Sequence, residues 1–360
     1  MDPIRIAQIA PLWESVPPQR YGGTERVVHY LTEELVRRGH KVVLFASGDS
    51  SSSAELQSCL PQALRLAGHH GDPSAEALLQ LEQVLQQVDR FDILHFHTGP
   101  IHFPVAARLP RPCLHTLHGP LTAADQAEPL RRHRRVPVVS ISDAQRRPVP
   151  RAHWQGTVYH ALPPDLYTLG TNPEPYLAFV GRVSPEKRLD RAIAIATAVG
   201  LPLKVAAKVD VADHAYWHSV IEPLILANPR VEFIGEVDDA GKQQLLSRAL
   251  ALLFPIDWPE PFGLVMIEAN ACGTPVIAWR QGSTPEIIEH GCNGLLVESI
   301  EGAVEAVRGL ERLDRGRVRA CFERRFSVAR QAADYERIYR RLIQATTPQR
   351  RLAVPELHVA

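Results

Sequence analysis

The 360-residue chain is short of several features, and each shortage excludes a class of protein. It has five cysteines, an odd number with no CxxC pair. That argues against a disulfide framework or a structural zinc site, and for reduced thiols. No apolar run approaches the roughly 20 residues needed to span a bilayer. The opening MDPIRIAQIA lacks the charged-then-apolar plan of a signal peptide, so a cytoplasmic protein is expected. Neither sign of charge is in excess, with 40 acidic against 40 basic residues. No global field therefore recruits nucleic acid, and integral membrane association is not expected. No GxGxxG follows the first apolar strand, where the loop reads PLWESVPPQRYGG, so a dinucleotide-dependent oxidoreductase is disfavoured.

What is present is one grammar used twice. IRIAQIA (4–10) reads as a strand, and TERVVHYLTEELVRRG (24–39) as an amphipathic helix with Thr24 as its N-cap and Gly39 as its end. KVVLFAS (41–47) is the next strand, followed by a helix near 75–88 and the strands FDILHFH (91–97), PCLHTLHG (112–119) and PVVSIS (137–142). A Pro-rich segment, VYHALPPDLYTLGTNPEP (158–175), reads as a linker. The pattern then restarts with YLAFVG, LDRAIAIATAVG, PLKVAA, a helix near 214–227, RVEFIG, a helix near 240–249, ALALLFPI and TPVIAW. Alternation of this kind predicts two Rossmann-like, doubly wound parallel-sheet domains, 1–165 and 166–327, facing a central cleft. A last helix, 328–360 with its tail, carries Tyr335, Ile338, Tyr339 and Leu342 on one stripe and is expected to cross back to the N-terminal domain.

Ligands of open α/β sheets sit at the C-terminal strand edge, and four loops there carry unusual residues. In YGGTERVV, Gly22-Gly23 lead into a helix N-terminus; they either bring backbone N–H groups up to an anion or simply make a turn. In GRVSPEKRLD, Arg182 ends a strand and Lys187 follows five residues later; they either clamp a diphosphate or belong to a solvated charge cluster. PCLHTLHG offers His115 and His118, which suit a hydrogen bond to a polar ligand better than a metal. His95 and His97 are read as facing opposite sides of their strand. In EPFGLVMIE, Phe262, Gly263 and Leu264 open a helix, Glu260 precedes it and Glu268 lies inside. At about 100° per residue Glu268 shares a face with Leu264, Val265, Ala271 and Cys272. A carboxylate there needs a partner or a ligand, since burying it alone costs several kcal/mol. Counting the interval as helix separates the two glutamates by roughly 12 Å, beyond the spacing of a glycosidase pair. GEVDDAGK (235–242) has a phosphate-loop look, but Gln243 stands where Ser or Thr would hold magnesium.

Taken together, YGGTERVV, GRVSPEKRLD, VEFIG, EPFGLVMIEANACGTPVIA and GSTPEIIEHGCNG resemble the retaining, nucleotide-sugar-dependent glycosyltransferases of family four. The resemblance runs over nearly the whole chain in the right order and implies a GT-B fold. It implies that Glu268 accepts hydrogen bonds from the donor ribose, and that Glu260 holds the transferred sugar with the N–H groups of Phe262, Gly263 and Leu264. Arg182 and Lys187 would neutralise the leaving diphosphate, the loop at Gly235 would pack on the base, His118 would touch the sugar, and Gly22-Gly23 would close over the phosphates. No DxD triplet occurs, so neither an essential metal nor a cofactor is expected beyond the sugar-nucleotide co-substrate.

The chain departs from the family pattern in three places: Lys187-Arg188 in place of Lys-Gly, His160-Ala161 in place of Asn-Gly, and Ala206-Ala207-Lys208 where Ala-Gly is usual. The opening loop is similar to that of bacterial members using UDP-glucose. Trp13, Glu14 and Tyr21 would form an acceptor platform there, and a pterin such as tetrahydrobiopterin is the acceptor to test first. Lipid-linked or polysaccharide acceptors and a non-catalytic sugar-nucleotide-binding protein stand as alternatives. The arginine runs RRHRR (131–135) and RGRVRACFERRF (315–326) read as solvated faces, with peripheral membrane docking as the other possibility.

Overall fold

Apolar runs of four to six residues, rich in Val, Ile, Leu and Phe, alternate with amphipathic helices, and each run becomes a parallel strand. A computed structural model describes residues 2–19, 22–69 and 71–351, without the side chains of 347–351. The chain divides into two compact units. The first comprises Met1–Ile141, Arg146–Tyr159 and Val328–Ala360; the second comprises Ser142–Gln145 and His160–Ser327.

The sheet of the first unit contains β1 (Arg5–Ile9), β2 (Lys41–Phe45), β3 (Glu55–Gln57), β4 (Ile93–Phe96), β5 (Cys113–Thr116), β6 (Val138–Ser140) and β7 (Trp154–Thr157). Their order is β3-β2-β1-β4-β5-β6-β7, and every pairing is parallel. β4 and β5 are buried along their whole length, as strands covered on both faces must be. One face carries Phe45, Phe91, Phe96 and Phe103. On the other, Ile6, Ile93, Leu114 and Val139 pack with Leu31 and Leu35 and with Tyr335, Ile338 and Tyr339 of the helix Val328–Arg351. Glu336 of that helix pairs with Arg38 at 2.6 Å and His40 at 2.8 Å, so its carboxyl is pulled down to about 2, first by the Arg38 hydrogen bond. The helix after β1 begins at Gly23 with Gly22 as its N-cap and no side-chain cap, so Thr24 lies inside the helix and does not cap it.

The second unit repeats the plan with β8 (Leu177–Arg182), β9 (Leu203–Lys208), β10 (Val231–Gly235), β11 (Ala251–Phe254), β12 (Val276–Trp279) and β13 (Gly294–Val297), in the order β10-β9-β8-β11-β12-β13. The arginine-rich helix Arg315–Arg325 is not the solvated face its composition suggests. Arg315 donates to the carbonyls of Gly170 at 2.6 Å, Ala249 at 2.9 Å and Ser247 at 2.8 Å. Arg319 donates to Tyr167 O at 2.7 Å. Loop carbonyls that lack ladder partners need donors, and a guanidinium supplies five.

Candidate active site

Strand order reverses direction between β1 and β4 in one sheet and between β8 and β11 in the other, and the loops leaving those strands surround the crevice each reversal opens. In the second unit Arg182 is the last residue of β8 and lies in register with Lys208, the last residue of β9. Acids surround this pair. Arg182 reaches Glu186 at 2.5 Å and Asp213 at 3.4 Å, and Lys208 reaches Asp210 at 2.6 Å. Lys187 ends the short turn Pro185–Lys187, and its ammonium donates to the carboxylate of Glu260 in the loop after β11. The same ammonium lies 4.9 Å from the Trp258 ring and 5.5 Å from the Phe254 ring. Trp258 in turn donates its indole N–H to Glu260 at 3.0 Å. Loops from both sides of the strand reversal are thus tied together by one ion pair.

Two glycines make this corner possible. Gly263 has φ 81°, and a Cβ there would lie 2.8 Å from the Met266 methyl and 3.1 Å from Phe254. It turns the chain into the helix Leu264–Ala271, whose first N–H groups have no partner inside the helix. Gly282 lets the GSTPE segment press on Glu260, where a Cβ would come within 2.4 Å of the Glu260 nitrogen. Because the helix begins at Leu264, Glu260 lies outside it, and the helical rise does not measure the separation of the two glutamates.

Glu268 is 4 % exposed, and its partner is Lys242, 2.6 Å away. Lys242 also reaches Asp239 at 3.0 Å. It sits in the first turns of the helix Asp239–Arg248, which Asp238 caps by accepting from Gly241 N at 2.8 Å. GEVDDAGK is therefore a capped helix start that delivers a lysine to a buried carboxylate. The sequence reading missed Lys242. A buried-face lysine facing a buried-face glutamate two elements away was the available signal. Gly235, at φ 86°, ends β10 with open space where a Cβ would stand.

Arg188 explains one departure from the family pattern. It holds φ 56°, the left-handed conformation that glycine adopts without penalty. Bonds at 2.8 Å to both Asp190 and Asp257 hold it there.

At the ends of β4 and β5 the first unit places imidazole rings. His118 follows β5, and its Nε2 lies 2.9 Å from His97 Nδ1. Burial pushes the His118 imidazole down to about 3. His115 goes elsewhere, stacking on His102 with centroids 5.0 Å apart, so the HxxH pair does not converge on one point. His95 and His97 share a face, with ring centroids 4.0 Å apart; residues two apart on a strand point the same way, which corrects the alternating reading. Trp13, 39 % exposed, lines a cavity of about 150 Å³ with Leu12, Leu64, Gln80 and His97. Glu14 does not join it as a free carboxylate, because it is buried in an ion pair with Arg65. Gly22 packs on Pro18, where a Cβ would come within 2.6 Å of the ring, and Gly23 starts the following helix. Tyr21 lies outside the described residues.

Residues 169–321 match the model of glycosyl transferases group 1, and residues 21–154 match that of glycosyltransferase family 4. The chain is a GT-B glycosyltransferase. An uncharacterised glycosyltransferase of Methanocaldococcus jannaschii is 25% identical over 341 residues, 82% of this chain and 85% of the relative. A D-inositol 3-phosphate glycosyltransferase of Mycolicibacterium smegmatis is 26% identical over 340 residues, 77% of this chain and 75% of the relative. A higher identity, 44%, to the N-acetyl-alpha-D-glucosaminyl L-malate synthase of Bacillus anthracis spans 69 residues, 19% of this chain and 17% of that relative. Among solved structures, AviGT4, a glycosyltransferase of avilamycin A biosynthesis, aligns with TM-score 0.72 and 26% identity over 95% of this chain and 98% of its own. Anabaena HepE, solved with UDP, aligns with TM-score 0.73 and 17% identity over 94% of this chain and 100% of its own, a likeness of fold. No helix among the described residues is long and apolar enough to cross a membrane.

Proposed function

We propose that this glycosyltransferase is a retaining, metal-independent hexosyltransferase of the cytoplasm that moves glucose from UDP-glucose to a small hydroxylated acceptor. The observation that carries the reading is the ion-paired corner at the β8/β11 reversal. There Lys187 pairs with Glu260 in the loop that leads to the helix Leu264–Ala271, and Arg182 ends β8 five residues before Lys187. A departing diphosphate needs fixed positive charge and oriented N–H groups, and this corner offers both without a metal. On donor binding, Lys187 and Arg182 would exchange carboxylate partners for phosphate oxygens. Glu260 would then be released to accept from sugar hydroxyls, while Glu268 would accept from the ribose.

In the transfer step the bond from the anomeric carbon to the diphosphate oxygen breaks through an oxocarbenium-like state. The acceptor oxygen then bonds to that carbon on the same face, and its proton goes to the departing phosphate. Uridine and glucose are taken as the first donor because HepE, of the same fold, was solved with UDP-glucose. The small cavity beside Trp13 supports a compact ring-shaped acceptor, with tetrahydrobiopterin first, over a long glycan.

The test is a screen of UDP-, GDP- and ADP-sugars by thermal shift, followed by acceptor trials and NMR of the product anomer. UDP-glucose stabilisation and an α-product are expected. An inverted anomer, or binding without transfer or hydrolysis under any acceptor, would overturn the reading.

A further inference from the structure

The first unit contains one continuous chain of buried hydrogen bonds that runs from the C-terminal helix to His118. Gln8 of β1 donates its side-chain N–H to Tyr339 Oη at 3.2 Å. Tyr339 Oη lies 2.7 Å from His95 Nδ1, and His95 Nε2 lies 2.7 Å from Thr116 Oγ1. Thr116 continues to Tyr335 Oη at 2.9 Å. In the other direction, Gln8 Oε1 lies 2.7 Å from His97 Nε2, and His97 Nδ1 lies 2.9 Å from His118 Nε2. Gln8, His95 and Tyr339 are fully buried, and Thr116 and Tyr335 nearly so.

With the Gln8 amide nitrogen on Tyr339 and its oxygen on His97, the chain runs in one direction. A tyrosine hydroxyl that accepts from Gln8 gives its own proton to His95 Nδ1, so His95 carries hydrogen on Nε2 and gives it to Thr116. The amide oxygen of Gln8 can only accept, so His97 carries its hydrogen on Nε2. Its Nδ1 is then a lone pair and must receive a hydrogen from His118 Nε2. Each neutral ring has a single N–H, so the lone pair of His118 is on Nδ1. Burial disfavours charge on the rings at the two ends: it holds His95 well below its ordinary range and His118 at about 3.

We infer that Gln8 and Tyr339 are positioning residues that lock His118 in the Nε2–H tautomer and present its Nδ1 as a hydrogen-bond acceptor for a substrate hydroxyl. The substrate half of this inference rests on the proposed sugar transfer; the tautomer half does not. A hydroxyl donor is selected over a carbonyl or phosphate oxygen, because a ring nitrogen without hydrogen repels an acceptor. The C-terminal helix then has a role beyond covering the sheet, since Tyr339 sets the orientation of the Gln8 amide.

The experiment uses the full chain labelled with 15N at histidine, with His118 assigned by its loss in His118→Asn. Long-range 1H–15N spectra should show a pyrrole-type Nε2 and a pyridine-type Nδ1 for His118 in the ligand-free protein. Gln8→Leu should mix the two tautomers and lower kcat about tenfold with little change in donor KM, the low end of what losing an orienting partner costs. Gln8→Glu keeps an acceptor for His97 Nε2–H and should retain the tautomer; it also serves if the leucine variant fails to fold. Tyr339→Phe should have a smaller effect of the same kind. The inference is overturned by an Nδ1–H or charged His118 in the unaltered protein, or by a tautomer that Gln8→Leu leaves in place. A tautomer that shifts without any change in transfer overturns it as well. A correct tautomer in a protein that transfers no sugar supports the relay and removes the sugar-transfer reading instead.

Discussion

The two sheets share one topology through six strands, yet their C-terminal edges differ in kind. The edge of the second unit bears Arg182, Lys187, Lys208 and Lys242, each matched to a carboxylate at Glu186, Glu260, Asp210 or Glu268. The edge of the first bears Gln8, His95, His97 and His118, all joined by hydrogen bonds between uncharged groups. Fixed ion pairs can be exchanged for a charged ligand at little cost in desolvation, because the cations are already partnered and placed. Neutral acceptors suit hydroxyls. The fold supplies two equivalent positions, and side-chain chemistry alone distinguishes them.

The comparison breaks most visibly if the cations of the second edge are dispensable. Lys187→Ala or Arg182→Ala should lower turnover by about 10²–10³, the usual loss for one group that stabilises developing charge. Steady-state kinetics with the best donor checks it.

The buried pair Lys242–Glu268 sharpens the contrast through stability. Lys242→Met should cost about 3 kcal/mol in urea unfolding, because it leaves Glu268 buried and alone. The double variant Lys242→Met, Glu268→Leu should recover much of that loss. Glu268→Ala should also raise the donor KM, and an unchanged KM would remove Glu268 from the donor.

A titratable group tests whether the first unit tolerates charge near its opening loop. Glu25 is buried in the first turn of the helix after β1, near Glu14 and Arg65, and burial raises its carboxyl to about 7 from 4.5. The native state therefore keeps a proton that the unfolded chain releases between those values. Stability falls as pH rises through that window, and the loss is complete above about 7. Glu25→Gln should match the parent near pH 4.5 and exceed it by up to about 3 kcal/mol at pH 8. Paired melts at the two pH values read the difference directly.

The smallest effect concerns Arg188. Alanine there would keep the left-handed strain without the ion pairs, whereas glycine relieves the strain. Arg188→Ala should therefore be less stable than Arg188→Gly by about 1 kcal/mol. Equal melting points would mean that the positive φ is not strained.

Most of this architecture was readable from the sequence because parallel strands buried on both faces are apolar runs that stand out, as in FDILHFH and ALALLFPI. Three strands were not. β3 (ELQ) has three residues and a partly exposed pattern, β7 (WQGT) is a polar edge strand containing glycine, and β13 (GLLV) is a short strand hidden inside a longer motif. Edge strands need less apolar surface, so the pattern fades there.

The placement of Arg182, Lys187 and Glu260 at one strand reversal followed from their position after strands. Lys242 did not, because its place on a buried stripe with Leu245 and Leu246 does not name the partner it meets on another helix. The tautomer relay was also hidden, since it depends on Gln8 and Tyr339, 331 residues apart, meeting across the sheet. Arg315 and Arg319 looked like surface charge because composition does not reveal which carbonyls lack donors.

Calorimetric titration of UDP in the presence of EDTA tests the central claim most directly. Binding should persist without divalent metal and weaken by at least about 100-fold when both Arg182 and Lys187 are replaced by alanine. Binding that requires magnesium, or that survives both substitutions, would contradict it.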